Sequence, residues 1–256
     1  SSDVCSSDLT YTFEQEDRIM PTINLLYEHE YKITDKIKVL IPTVDDILNA
    51  EDSYYGAVSI LTAMPIDMMV QLEDAGIDFT DISAFDLFLM LFQGLQEMDT
   101  SLVFGDLDLK SFRLATNEKG KLVLIDPEND IKIDAGIHRI IATALRKIHH
   151  LEQNRRKPGN QEAKEFMLQR ARIKAARNKN RSVESQLESL IVAMVNTEQF
   201  KYDLDSVRNL TIYQFNECVR QIIKKVNYDN RMYGVYAGTV NAKELSPDDL
   251  NWLTHK

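Results

Sequence analysis

The stretch Asn209–Val226, NLTIYQFNECVRQIIKKV, decides how the rest of this chain is read. Ile212, Phe215, Val219, Ile222 and Val226 recur at spacings of three and four residues. On a helix of 3.6 residues per turn this gathers them into one stripe, with Gln214, Glu217, Arg220 and Lys224 turned away. Such a stripe has to be covered, because each fully buried large apolar side chain is worth roughly 1.5–3 kcal/mol before ordering entropy is subtracted. The nearest candidate cover lies just upstream in ESQLESLIVAMVN, where Leu187, Leu190, Ile191, Met194 and Val195 form a second stripe. The connector FKYDLDSVRN is short enough to fold the two back on each other as an antiparallel helix pair. Nothing in this pair is catalytic chemistry.

Composition bounds the class. With 256 residues, 44% apolar and 27% charged, the chain matches an ordinary globular protein with room for one large core or two modest ones. Its longest apolar run, Leu87–Phe92, is far shorter than the ~20 residues a membrane-spanning helix needs, so a buried helix is expected there. Two cysteines, Cys5 and Cys218, exclude a disulfide framework and a cysteine zinc site, and they fit a reducing, intracellular setting. Cys218 is read as a small core residue. The net charge of −10 is uneven: Arg146–Arg181 carries twelve Lys or Arg against three Glu, leaving the remainder at −19.

The opening SSDVCSSDL repeats SSD and has no periodicity. It resembles a translated adapter remnant, and residues 1–20 are set aside as a disordered or artefactual tail. Residues 21–152 are expected to form an α+β domain, 153–182 a basic linker or helical arm, and 183–256 a helical C-terminal region. The fold class is therefore α+β, predominantly helical, with an N-terminal β-hairpin, a second hairpin in mid-chain and the C-terminal helix pair. The first hairpin is expected within Thr22–Thr43, reversing near Glu28–Glu30, from alternating Leu25, Tyr27, Tyr31 and Ile33. Helix follows from Val44, broken near Gly56 and restarted at Pro65. Thr80 or Ser83 caps a central helix through Phe92. SFRLAT and KLVLID, on either side of NEKG, form the second hairpin. IKIDAGIHRIIATALRKIHHLE returns to helix, burying Ile137, Ile140, Ile141, Ala144, Leu145 and Ile148. After Val226 the Tyr-, Gly- and Asn-rich NYDNRMYGVYAGTVNAKEL reads as loop or extended chain, before a short helix capped at Ser246.

Asp126, Glu128 and Asp130 have the alternation of a calcium loop, but the required Gly and terminal carboxylate positions hold Ile131 and Ile137. Asp106 and Asp108 lack an identifiable partner and read as surface loop. His149 and His150 are adjacent on a helix and so point apart, which spoils them as ligands for one ion. No nucleophile elbow, phosphate loop or dinucleotide fingerprint is present. Neither catalytic residues nor metal or cofactor ligands are expected, and the protein reads as not an enzyme.

Two features remain for partner binding. One is the Met64, Met68 and Met69 cluster, which suits either an adaptable surface or an irregular core. The other is the basic arm: Arg155, Arg156, Lys157, Arg170, Arg172, Lys174, Arg177, Lys179 and Arg181, with only Phe166, Met167 and Ile173 as apolar anchors. It is expected to project from the body. Contact with acidic protein surface is preferred over a solvated face, and both over nucleic acid, since stacking aromatics are scarce and the acidic body repels a polyanion.

Read together, IPTVDDILNAEDSYYGAVSILTAMPIDMMVQLEDAGIDF, LRKIHHLEQNRRKPGNQEAK and LIVAMVNTEQFKYDLDSVRNLTIYQF through YDNRMYGVYAGT resemble a family of proteins from tailed phages and prophages of Gram-positive hosts. The likeness spans nearly everything after Met20. It implies a place in virion morphogenesis, and the size and helical make-up look similar to tail assembly chaperones. On that resemblance the partners are the tape-measure protein and the tail-tube protein, with a connector or baseplate component as the alternative and a nucleic-acid accessory third. No catalytic residues are carried over.

Overall fold

The computed structural model describes residues 25–178, 185–247 and 249–253. The chain enters on a hairpin of β1 (Glu30–Lys32) and β2 (Lys38–Leu40), with Tyr31 opposite Val39. The reversal lies at Ile33–Ile37, later than expected, because Thr34 Oγ1 accepts hydrogen bonds from the Lys36 and Ile37 amides and closes the turn there. Helix α1 (Val44–Leu48) starts from a reciprocal Thr43–Asp46 capping box. Helix α2 (Glu51–Thr62) runs unbroken through Gly56, and the interruption falls instead at Asn49–Ala50. Gly56 serves proximity rather than flexibility: a Cβ there would come within 2.3 Å of the Met98 side chain.

A 3₁₀ turn at Pro65–Met68 leads into α3 (Met69–Asp74). Ser83, with Asp86 in a second capping box, starts α4 (Ala84–Glu97), which is longer than expected. After α5 (Ser101–Phe104) and a 3₁₀ turn at Leu109–Ser111 comes a sheet of β3 (Arg113–Thr116), β4 (Leu122–Asp126) and β5 (Ile131–Ile133), antiparallel in that order. The mid-chain hairpin thus has a third strand, taken from residues read as the beginning of a helix. Helical periodicity misled because Ile131 and Ile133 are spaced for a strand, and Asp134, accepting from the Gly136 and Ile137 amides, starts α6 (Ala135–His149) only after them.

Helices α7 (Gln161–Asn178), α8 (Gln186–Val195) and α9 (Ile212–Tyr236) complete an α+β architecture with two small antiparallel sheets. One core takes Tyr54 from α2, Phe88 and Leu95 from α4, Leu145 from α6, Leu187 and Ile191 from α8, and Ile212 and Phe215 from α9. The two stripes of the C-terminal pair therefore feed the same core, and α9 lies chiefly against α6. A smaller cluster of Ile66, Leu72, Phe79, Leu87 and Leu168 joins α3 and α4 to α7.

The α9 stripe is buried along its first half only: Ile212 and Phe215 are fully covered, Val219 and Ile222 partly, and Val226 is 37% exposed. The helix then continues to Tyr236, ten residues past the expected end, through a stretch with no proline and no glycine before Gly234. A Lys225–Asp229 pair at 2.6 Å supports it, and Gly238 at φ +73° ends it. The helix expected from Ser246 is, among the described residues, only turns: Ser246 and Asp249 bond reciprocally, and Asp249 pairs with Arg231 on α9. Truncating Phe215 to alanine should cost about 3–5 kcal/mol of stability in urea unfolding, whereas Tyr233→Ala should stay within about 0.5 kcal/mol.

Candidate functional site: the basic arm and its seat

The arm does not project. Helix α7 lies against α3, turning Lys164, Met167 and Leu168 inward, and it is pinned by charge at two points along its first two-thirds. Lys164 Nζ donates to Asp78, and Arg172 pairs with Asp74 at 2.6 Å. The Lys164 side chain is almost covered and also sits 5.5 Å from the Phe79 ring, so its charge meets a carboxylate and an aromatic face together. The hydrogen bond from Lys164, with another from Thr80, holds the Asp78 carboxyl at about 2 and pushes Lys164 up in turn. Sequence reading missed these contacts because the inward row is short and carries a lysine: Lys164 and Leu168 are one turn apart, with Ala171 next.

Met64, Met68 and Met69 sit half-buried against the smaller cluster, and the Met64 sulfur accepts from Gln153 Nε2 at 3.3 Å. They line the seam between the body and the segment entering α7, where Asn154 also reaches Asp67 at 3.2 Å. Arg155, Arg156 and Lys157 lie exposed on that segment. On α7 the outward strip carries Phe166 (58% exposed), Arg170, Ile173 (46% exposed), Lys174 and Arg177, with the Arg170 guanidinium 5.6 Å from the Phe166 ring. Phe166 and Ile173 thus face away from the body, opposite to their expected anchoring role, while Arg172 turns to Asp74. Lys179 and Arg181 lie outside the described residues. Among those described, Arg155, Arg156, Lys157, Arg170, Lys174 and Arg177 form no ion pair with a described carboxylate.

The groups that might have carried catalysis are engaged elsewhere. His149 Nε2 lies 2.9 Å from the Tyr54 hydroxyl, while the next residue, His150, turns through a left-handed backbone (φ 54°) that brings its Nε2 to 3.3 Å from Glu217 without a hydrogen bond among the described residues. Burial, with a contribution from His150, depresses His149 to about 4, and burial raises Tyr55 to about 12. Asp108 accepts from the Lys110 amide in its own turn. Asp126 is held low by bonds from the side chains of Asn129 and Ser111 and the amides of Glu128 and Asn129. Beside that turn Lys36 Nζ donates to the Asn129 and Asp130 carbonyls, both at 2.9 Å, and ties the first hairpin to the β4–β5 turn.

An open groove of about 1170 Å³ runs past Tyr55, Val58, His149 and Leu187, with Glu51 and Asp52 on its lip. Two of its polar groups serve the backbone: Glu51 accepts from the Leu187 amide at 3.3 Å and Ser53 donates to the Ala50 carbonyl at 3.1 Å. Among the described residues no group of three or more His, Cys, Asp or Glu is placed to hold a metal ion. Cys218 is half-buried against the core, and burial raises its thiol, which disfavours the reactive thiolate. No single described helix is long and apolar enough to cross a membrane, and the consecutive pair Glu51–Thr62 and Pro65–Asp74 is bent by 118°.

Residues 177–256 match the family model described as the YomV second domain. That family name is of phage and prophage type, consistent with a phage origin for this chain. No curated protein and no solved structure matches. The matched stretch begins at the end of α7 and contains α8, α9 and the tail, so it takes in the half-exposed helix but leaves out most of the basic strip.

Two pH responses follow. Because the folded Asp78 carboxyl lies below its ordinary 3.8, the clamp's contribution is complete above that value and is lost as pH falls toward 2; amide exchange of α7 should accelerate selectively there, and a carboxyl titration should place Asp78 near 2. His138 is buried between Phe85 and Phe88, its Nε2 unpaired among the described residues, and burial with nearby Arg146 depresses it to about 4. The folded state then binds fewer protons than the unfolded one, so stability should fall as pH drops from about 6.5 to 4, by about 3 kcal/mol from this residue, and His138→Leu should roughly halve that part of the slope in the urea-midpoint profile, His149 supplying the rest.

Proposed function

We propose that this is a non-enzymatic phage protein that works in virion assembly through protein–protein contacts, most specifically as a tail assembly chaperone that keeps the tape-measure protein soluble. The observation that carries it is the outward strip of α7. Two large apolar side chains stand exposed there among cations that find no carboxylate on this protein's own described surface. An exposed Phe and Ile on a rigid helix offer apolar contact, and the surrounding cations select for acidic neighbours. A long helix-rich client with uncovered apolar faces is matched by such a strip, while the strongly acidic remainder of the chain keeps the complex in solution. The Met64, Met68 and Met69 cluster supports this less directly, because its adaptable side chains close the seam on which the strip is seated.

A second reading, a permanent connector or baseplate component, is favoured by the firmness of that seat. A strip clamped by Lys164–Asp78 and Arg172–Asp74 is preorganised, which suits a lasting interface as well as a transient one. Nucleic acid ranks third: of the aromatic side chains, only Phe166 stands out from the arm, too few for a stacking platform.

Co-expression with the tape-measure protein of the same phage should raise that protein's soluble fraction, and Phe166→Asp with Ile173→Asp should abolish the gain without lowering this protein's own yield. No gain with the unaltered protein would sink the chaperone reading. Mass spectrometry of purified particles separates the alternatives, since a chaperone is lost from the finished virion and a component is retained.

A further inference from the structure

We infer that the outward strip of α7 takes an acidic amphipathic α-helix of another protein, laid along α7 with its carboxylates beside Arg170 and Arg177; this rests on reading that strip as a protein-binding surface. Phe166 is followed four residues on by Arg170, and the same unit recurs seven residues later as Ile173 and Arg177. All four side chains are exposed, on the side of the helix away from Lys164 and Leu168. Seven residues are two turns, so the apolar contacts stand about 10.5 Å apart along the axis, each with its cation beside it. That spacing is what a second helix repeats. An extended strand returns to one face about every 6.7 Å, which meets one contact and misses the other.

Charge sets the partner's composition. Arg170 and Arg177 form no ion pair with a described carboxylate, and both lie on one flank of the apolar pair, the other flank carrying Glu162, Gln169 and Ala176. Cations at such a flanking position of a heptad are met by carboxylates on the neighbouring helix, and they fix which helix is accepted. The strip is preorganised for this: Lys164–Asp78 and Arg172–Asp74 hold α7 from its inner side, and the Arg170 guanidinium already lies 5.6 Å from the Phe166 ring. No described helix of a second copy supplies the partner. Its own α7 would set Arg against Arg. The other exposed apolar pair seven residues apart on a described helix, Val226 and Tyr233 on the bare outer half of α9, is neutral around Asn230, and the nearby Asp229 is taken by Lys225.

Fluorescence anisotropy of the full chain against two labelled three-heptad peptides of identical composition tests this. One peptide places leucines in a single helical stripe with glutamates on both flanks, and the other has the same glutamates moved to the far face. The first should bind and the second should bind at least about tenfold more weakly. Arg170→Glu with Arg177→Glu should reverse the preference, losing the flanking-glutamate peptide and gaining one with lysines in those places. Phe166→Ser with Ile173→Ser should lose both, with helix content by circular dichroism unchanged. No binding, equal binding of the two glutamate peptides, or a preference that charge reversal leaves in place overturns the assignment, as does displacement of the bound peptide by an equimolar single-stranded DNA. Binding that follows the expected pattern upholds it even where co-expression leaves the tape-measure protein insoluble, so the failure of the chaperone reading and the failure of this one are told apart.

Discussion

The body is closed by two backbone hydrogen bonds between distant parts of the chain. Val44 N donates to Leu210 O and Ile212 N to Pro42 O, both at 2.9 Å, around an antiparallel bridge between Thr43 and Thr211. Each threonine is at once the cap of a helix, α1 in one case and α9 in the other, so two helix starts share one anchorage. Arg208 reinforces it by pairing with Asp45 at 2.6 Å. This junction fixes where α9 enters and therefore how much of it the core can hold. At 1.5 Å per residue, a helix of 25 residues is about 37 Å long, roughly the width of a small domain. A helix launched from the middle of the body has to leave it.

Charge organises the second level. The acidic body and the basic arm meet at Asp74 and Asp78, and the arm's polarity is divided by the helix into cations that bond inward and cations that face out. Lysine side chains do comparable work elsewhere, as where Lys36 closes the β4–β5 turn. Histidines are used as packing groups: His138 stacks on Phe88 at 4.3 Å, and His149 is bonded to Tyr54. The consequence for function is a protein whose candidate catalytic histidines and carboxylates are largely tied into its own packing, with two outward faces of different character left over. One is basic with two apolar residues, and the other is neutral and apolar with a central amide.

The periodic elements were legible from the residues. The stripes of α6, α8 and the first half of α9, the Ser83 cap, the NEKG reversal and the failure of the calcium pattern all follow from local spacing and side-chain chemistry. What misled was composition standing in for spacing. Tyr, Gly and Asn after Val226 suggested loop, yet uninterrupted helix-compatible residues and a Lys225–Asp229 pair carried the helix on to Gly238. Gly56 suggested a break, yet it allows Met98 to approach the helix.

By itself the sequence determined the fold class, the composition of the core, the charge asymmetry and the absence of a recognisable catalytic motif, because each depends on residue identity and on neighbours within a turn or a strand. Only the tertiary structure decided that the basic arm is seated, which of its side chains are inward, that the methionines line its seam, and that α9 outruns its cover. Those outcomes depend on contacts between residues far apart in the chain, Lys164 with Asp78 and Leu210 with Val44, and no local periodicity encodes which acidic loop or which helix end will lie opposite.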